Sequence, residues 1–269
     1  MGNLLLDPEK YRRYFTSAEP FPHIVLDNLF PNEVLEEILR DFPEPPGLDW
    51  KAMETPREKK LATKDLSGLS PAIRNFLLYL NSGEMVDFLE KLTGIEHLVP
   101  DPHYWGGGLH QIPPGGFLKI HADFNWHNRI ALSRRLNLLI YLNKDWEEEY
   151  GGQLELWDND MTACQQKIMP IFNRTVVFAT TDFANHGHPT PMTCPPDRTR
   201  KSIAIYYYSN GRPKSEVSLV HSTQYKRRGP LEWEDDTRFK LELLAQKVIP
   251  PIFWDAKRYL KTKFFPNKH

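Results

Sequence analysis

The chain has 269 residues, 40% of them hydrophobic, which is ample for a packed core and leaves no long polar tract. Its 34 lysines and arginines nearly balance 35 aspartates and glutamates, so no net field draws it to nucleic acid or to an anionic membrane. Two cysteines, Cys164 and Cys194, cannot build a disulfide framework, the N-terminus lacks a secretory signal, and no apolar run is long enough to span a bilayer; a soluble, cytoplasmic protein is expected.

The first segment with a pattern, His23–Phe30 (HIVLDNLF), reads as extended. From Pro31 to Phe42 the residues Val34, Leu35, Ile38, Leu39 and Phe42 recur at helical spacing, with Pro31-Asn32 ahead of the helix and Pro43 ending it. A second helix is predicted from Ser70-Pro71, a cap followed by proline at the first helical position. A third follows Ser82, with Met85, Phe88, Leu89 and Leu92 on one side and Gly94 as its stop. The first 95 residues are therefore expected to be mostly helical. Beyond residue 100 come short β-rich runs separated by glycine and proline: GGGLHQIPPGG, FLKIHADF, RLNLLIYLN, GGQLELWD, NRTVVFAT and RKSIAIYYYS. So many short strands in one block predict a sandwich or jelly roll. Helix is expected again at TRFKLELLAQKV, stopped by Pro250-Pro251, before a basic aromatic tail whose charges read as a solvated helix face.

In the run FLKIHADF, strand alternation puts Phe117, Lys119, His121 and Asp123 on one face and Leu118, Ile120 and Ala122 on the other. The apolar face is expected to pack under the N-terminal helices, and the polar face to look into the mouth of the barrel. His-x-Asp alone is a weak signal. It gains weight from His186 and His188 some 60 residues later, because two histidines and a carboxylate with open positions form the facial triad of non-haem Fe(II) oxygenases. A closed structural zinc site would want four ligands and usually cysteine, and neither cysteine has a CxxC partner. Arg200, followed on its face by Ser202, is suited to gripping a carboxylate, and a buried arginine without an acidic partner is costly unless a ligand supplies the charge. Tyr141 would reach the same carboxylate if it faces inward; otherwise it is a core tyrosine.

Together KIHAD, LLIYLNKDW, YGGQLELW, FNRTVVF, HGHP and RKSIAIYYY resemble, in order and spacing, the iron- and 2-oxoglutarate-dependent oxygenases, and among them the prolyl-hydroxylase-like branch. The resemblance covers about residues 105 to 210. It implies a mainly β fold with flanking helices, a double-stranded β-helix (jelly roll) core supported by N-terminal helices. As a single oxygenase domain over 1–269, this would comprise a helical support (1–99), the catalytic core (100–212) and a C-terminal helical extension (213–269). It further implies that His121, Asp123 and His186 ligate Fe(II), that Arg200 pairs with the distal carboxylate of 2-oxoglutarate, and that Tyr141 and Ser202 assist. His186 precedes the glycine as the family's ligand does, which leaves His188 as the fallback ligand or a substrate-mouth residue. Where several relatives carry a tyrosine, ten residues before the first ligand, this chain has Gln111, so Gln111 and Asn137 are candidate donors at the iron end. The implied cofactors are Fe(II), with 2-oxoglutarate and O2 as co-substrates and ascorbate as a further candidate.

The chemistry so implied is hydroxylation of an unactivated C–H bond with release of succinate and CO2, on a prolyl residue of a protein or peptide, or on a proline-like amino acid. Alternatives are an oxygenase of this kind acting on an unrelated small metabolite, and a cupin-type metal enzyme that does not use 2-oxoglutarate and gives Arg200 no role. A binding module without catalysis fits the intact His/Asp/His/Arg set poorly. The segment NWHNRIALSRR, with His127, Arg134 and the neighbouring Trp126, is expected either to form a lid that contacts substrate or to be a solvated connection.

Overall fold

The computed structural model describes residues 6–229, so the predicted helix at 237–248 and the basic tail lie outside the described residues. The chain divides into two units, 1–226 and 227–269, and every element below belongs to the first. The stretch expected to be mostly helical holds four α-helices, α1 (Pro8–Thr16), α2 (Asn32–Arg40), α3 (Pro71–Leu80) and α4 (Gly83–Thr93), with three strands interleaved among them. The caps expected for the last two form as predicted, with Ser70 Oγ accepting from the Ile73 amide and Ser82 Oγ from the Met85 amide, while Gly94 ends α4 at a φ of 74°. Helix α1 has no counterpart in the sequence reading. Asp7 and Pro8 start it, and its short apolar face is Tyr11 and Phe15, of which only Phe15 is fully buried.

The strands are β1 (His23–Asp27), the hairpin β2 (Lys51–Thr55) and β3 (Glu58–Ala62), β4 (Val99–Pro100), β5 (Gly108–Ile112), β6 (Phe117–Ala122), β7 (Trp126–His127), β8 (Leu132–Tyr141), β9 (Leu154–Trp157), β10 (Cys164–Ile168), β11 (Arg174–Ala179), β12 (Asn185–His188), β13 (Arg200–Ser209) and β14 (Gln224–Tyr225). They follow the order β1-β11-β8-β13-β5-β3-β6-β12-β9-β10, in antiparallel ladders throughout. The sheet curls on itself into a jelly roll. Strand β3 joins the two leaves, pairing with β5 through Leu61 and Ala62 and with β6 through Glu58 and Lys59.

Period-two alternation decides what each leaf faces. On β8, Leu136, Leu138 and Ile140 join Ile203 and Ile205 of β13 and Val177 of β11 in one core with Leu35, Ile38, Ile73, Leu77 and Leu89 from the helices. The opposite faces of β8 and β11, through Tyr141, Val176 and Phe178, meet Leu154 and Leu156 of β9 and Ile168 of β10 inside the roll. The helices thus support the β8/β11/β13 leaf and not β6, whose Ile120 and Ala122 are buried but belong to neither core. That expectation is corrected, because β6 lies in the opposite leaf. A second difference concerns residues 125–135: Trp126 and His127 pair with Ser133 and Leu132, so a tight β7–β8 hairpin stands where a lid or open connection was expected. Both cysteines are free, and no helix among the described residues is long and apolar enough to cross a membrane.

Candidate active site

Strands β6 and β12 lie side by side with His121 directly opposite His186, and this register brings the two imidazoles to 4.4 Å between ring centroids. Asp123, just beyond the end of β6, closes the group. Its Oδ1 is 3.6 Å from His121 Nε2 and its Oδ2 is 3.5 Å from His186 Nε2. All three side chains are buried, and their ligand atoms lie within 4.8 Å of one another. The ring orientation follows from the backbone. His121 Nδ1 donates to the Lys119 carbonyl and His186 Nδ1 to the Ala184 carbonyl, each at 2.8 Å, which leaves both Nε2 lone pairs turned to the common point. Burial, and then the neighbouring His121, holds His186 down to about 4, so its imidazole is neutral and able to ligate. For Asp123, burial opposes ionisation, but Arg134 and the two histidines outweigh it and hold the carboxyl well below the usual range. Two imidazoles and one carboxylate turned to a common point suit Fe(II) or a similar divalent ion.

Gly187 explains how β12 approaches so closely. A Cβ there would stand 2.7 Å from the Leu118 carbonyl oxygen and 2.9 Å from that of Lys119, both backbone atoms that cannot step aside. Gly187→Ala is therefore expected to part the two strands, costing about 1–3 kcal/mol of stability and weakening divalent metal binding. Thermal unfolding and a Mn(II) titration check both effects, and a variant that binds Mn(II) like wild type contradicts the argument.

Arg200, at the start of β13, is 5% exposed. Its Nε donates to the Gly152 carbonyl at 2.8 Å and its Nη2 to Tyr141 Oη at 3.2 Å, while among the described residues no carboxylate pairs with it. Burial alone pushes its pKa down. Ser202 lies opposite Tyr141 across the β13–β8 ladder and is buried with it. His188 is 3% exposed with neither ring nitrogen hydrogen-bonded, and burial followed by the charges of Arg200 and Lys60 holds its pKa well below the usual range. Gln111 is fully buried; its amide donates to Thr199 Oγ1 and its Oε1 has no partner.

Of the remaining predicted residues, Asn137 and Arg134 stand directly behind Asp123, and His127 and Trp126 lie apart from the triad. Asn137 Nδ2 donates to Asp123 Oδ2 at 2.6 Å, and Arg134, 1% exposed, sits 3.0 Å from the same oxygen. His127 belongs to a second buried cluster, 3.4 Å from Asp101 and edge-on to Trp105 and Tyr208, and Trp126 is half-buried on the β7 ladder. Sequence reasoning did not find Tyr225, whose two-residue strand β14 pairs with β6 and sets its ring 5.6 Å from that of His121. A strand so short has no periodicity to read.

Residues 107–208, which carry the triad, Tyr141 and Arg200, match the model of the 2OG-Fe(II) oxygenase superfamily. That match takes in the jelly-roll core and less than half of the chain. Solved structures with the same fold include a prolyl-4-hydroxylase from Pseudomonas putida, at 15% identity and a TM-score of 0.53, covering 76% of this chain and 100% of that one. Another is a prolyl hydroxylase from Trichoplax adhaerens in complex with a hypoxia inducible factor oxygen degradation domain peptide fragment, at 18% identity and 0.53, covering 75% and 89%. A third is HygX from Streptomyces hygroscopicus with nickel and 2-oxoglutarate bound, at 11% and 0.51, covering 80% and 96%. At these identities the likeness describes the fold alone.

Proposed function

We propose that this chain is a 2-oxoglutarate-dependent oxygenase that hydroxylates an unactivated C–H bond of a prolyl residue in a protein or peptide, or of a proline-like amino acid, and that His121, Asp123 and His186 hold its Fe(II). The observation that carries the co-substrate assignment is Arg200, a buried cation with no carboxylate partner among the described residues, beside an imidazole, His188, whose two nitrogens lack partners. Burying a charge and leaving polar nitrogens unbonded costs several kcal/mol, roughly, unless a ligand completes the site. A diacid fits that requirement: its distal carboxylate pairs with Arg200, supported by Tyr141 and Ser202, and its 2-oxo acid end reaches the metal. Bound Fe(II), with 2-oxoglutarate and O2, supplies an oxidant strong enough to take hydrogen from such a C–H bond, yielding succinate and CO2. The protein's part is to hold the carboxylate, keep water from it by burial, and present three fixed ligands that leave one face of the metal open.

Gly152 supports the same reading. At φ of 75°, a Cβ would lie 2.8 Å from Met192 Sδ and 2.9 Å from Arg200 Cδ, so Gly152→Ala is expected to displace the guanidinium and raise the Kd for 2-oxoglutarate. Calorimetric titration of the Mn(II)-loaded variant checks this, and an unchanged Kd contradicts it. The substrate class is supported by the solved prolyl hydroxylases of like fold. HygX, also solved with hygromycin B bound, supports the second reading, a small metabolite. The test is succinate formation from 2-oxoglutarate with Fe(II), O2 and ascorbate in the presence of prolyl peptides or free proline, followed by mass spectrometry of those compounds for the gain of one oxygen. No succinate above a metal-free control overturns the oxygenase chemistry, whereas succinate without oxygen gain on any prolyl compound overturns the substrate class alone.

A further inference from the structure

Arg134 is the least exposed charged side chain next to the metal site, and nothing in the hydroxylation chemistry assigns it a task. Its guanidinium lies 3.5 Å above the centroid of the Tyr206 ring and 4.4 Å from that of Phe124, two rings set at 86° to each other whose corner holds its plane in place. From that plane it reaches two acceptors. Nε and Nη2 donate to Asn137 Oδ1 at 3.0 and 2.6 Å, and Nη2 stands 3.0 Å from Asp123 Oδ2. Asn137, oriented by this grip, donates its own Nδ2 to the same Asp123 oxygen at 2.6 Å.

A carboxylate oxygen has two lone-pair directions. On Asp123, Oδ2 is engaged by two donors, Asn137 and Arg134, and lies 3.5 Å from His186 Nε2, whereas among the described residues Oδ1 faces His121 Nε2. We propose that Arg134, with Asn137, is a positioning residue for the metal: it occupies Oδ2 and so presents Asp123 to the ion through Oδ1 alone, as a one-oxygen ligand. A carboxylate free to turn would offer both oxygens and take up one of the positions the reaction needs open. Phe124 and Tyr206 act one step further back, as the clamp on the clamp.

This inference rests on the metal reading of His121, Asp123 and His186, and the experiment separates the two. Mn(II) affinity and the visible absorption of the Co(II)-substituted protein are measured for wild type, Arg134→Met, Arg134→Lys and Asn137→Ala. Removing a partner of a metal ligand commonly costs about 10–100-fold in metal affinity. Arg134→Met is expected to lose that much and to change the Co(II) spectrum as the carboxylate turns. Arg134→Lys, which keeps the charge but not the planar two-acceptor reach, is expected to recover part of the affinity and not the spectrum. Asn137→Ala removes one of the two donors and is expected to fall between wild type and Arg134→Met. Should Arg134→Met not fold, Arg134→Lys and Asn137→Ala decide the matter. Folded variants with wild-type Mn(II) affinity and an unaltered Co(II) spectrum overturn the positioning role while leaving the metal site standing; a wild-type chain that takes up neither metal overturns both.

Discussion

Asp123→Ala is expected to abolish divalent metal binding and to destabilise the protein at the same time. The first effect removes one of three ligands. The second arises because Arg134 is 1% exposed and Asp123 is the carboxylate with which it pairs. Removing one partner of a buried ion pair leaves an uncompensated charge and costs about 3–5 kcal/mol, a large part of the stability of a typical domain. Asp123→Asn separates the two consequences. It preserves shape and can still accept from Asn137 or Arg134, yet it lacks the anionic oxygen that balances the guanidinium and binds the ion. Denaturant unfolding and Mn(II) titration of both variants check this. If Asp123→Ala unfolds at the wild-type midpoint, the pair with Arg134 contributes little, and if it retains Mn(II), the ligand set is wrong.

Arg200→Leu is expected to behave in the opposite way, losing ligand without losing the fold. In the protein alone, the substitution removes the bonds to the Gly152 carbonyl and Tyr141 Oη, each leaving a buried group unsatisfied at about 1–3 kcal/mol. It also relieves the desolvation of a guanidinium that has no carboxylate partner among the described residues, worth roughly several kcal/mol. These terms oppose each other, so Tm should stay near the wild-type value. The diacid is another matter. Truncating one side of a buried, hydrogen-bonded charge pair typically costs about 2–5 kcal/mol of affinity, so 2-oxoglutarate should bind far more weakly to the metal-loaded variant. A thermal shift shows both at once: a ligand at about a hundred times its Kd stabilises the folded protein by about 2.7 kcal/mol, which wild type should display and Arg200→Leu should not. An equal shift in the two proteins contradicts the assignment.

How much of this was legible in the sequence depends on how far each feature reaches along the chain. The shared face of His121 and Asp123 follows from alternation within a single strand, and the same rule placed Leu136, Leu138 and Ile140 opposite Asn137 and Tyr141. His186 and His188 show where the rule fails. Ideal alternation gives them one face, but the register of β12 against β6 shifts between them, His186 pairing with His121 and His188 with Leu118, so that only His186 enters the triad. No sequence signal within HGHP separates them; the family pattern did. Arg134 was placed on a connection because the β7–β8 hairpin that folds it back behind Asp123 has a strand of only two residues on one side. The β2–β3 hairpin escaped notice because β2 is exposed on both faces and so lacks apolar alternation.

On the proposed reading, His121, Asp123 and His186 share one metal ion and Arg200 holds a diacid beside it. Calorimetric titration of 2-oxoglutarate into Mn(II)-loaded, metal-free and Arg200→Leu protein tests it most directly. One diacid per chain is predicted for the Mn(II)-loaded wild type, with binding severely weakened in the other two. Equal binding in all three, or none in the metal-loaded wild type, would contradict it.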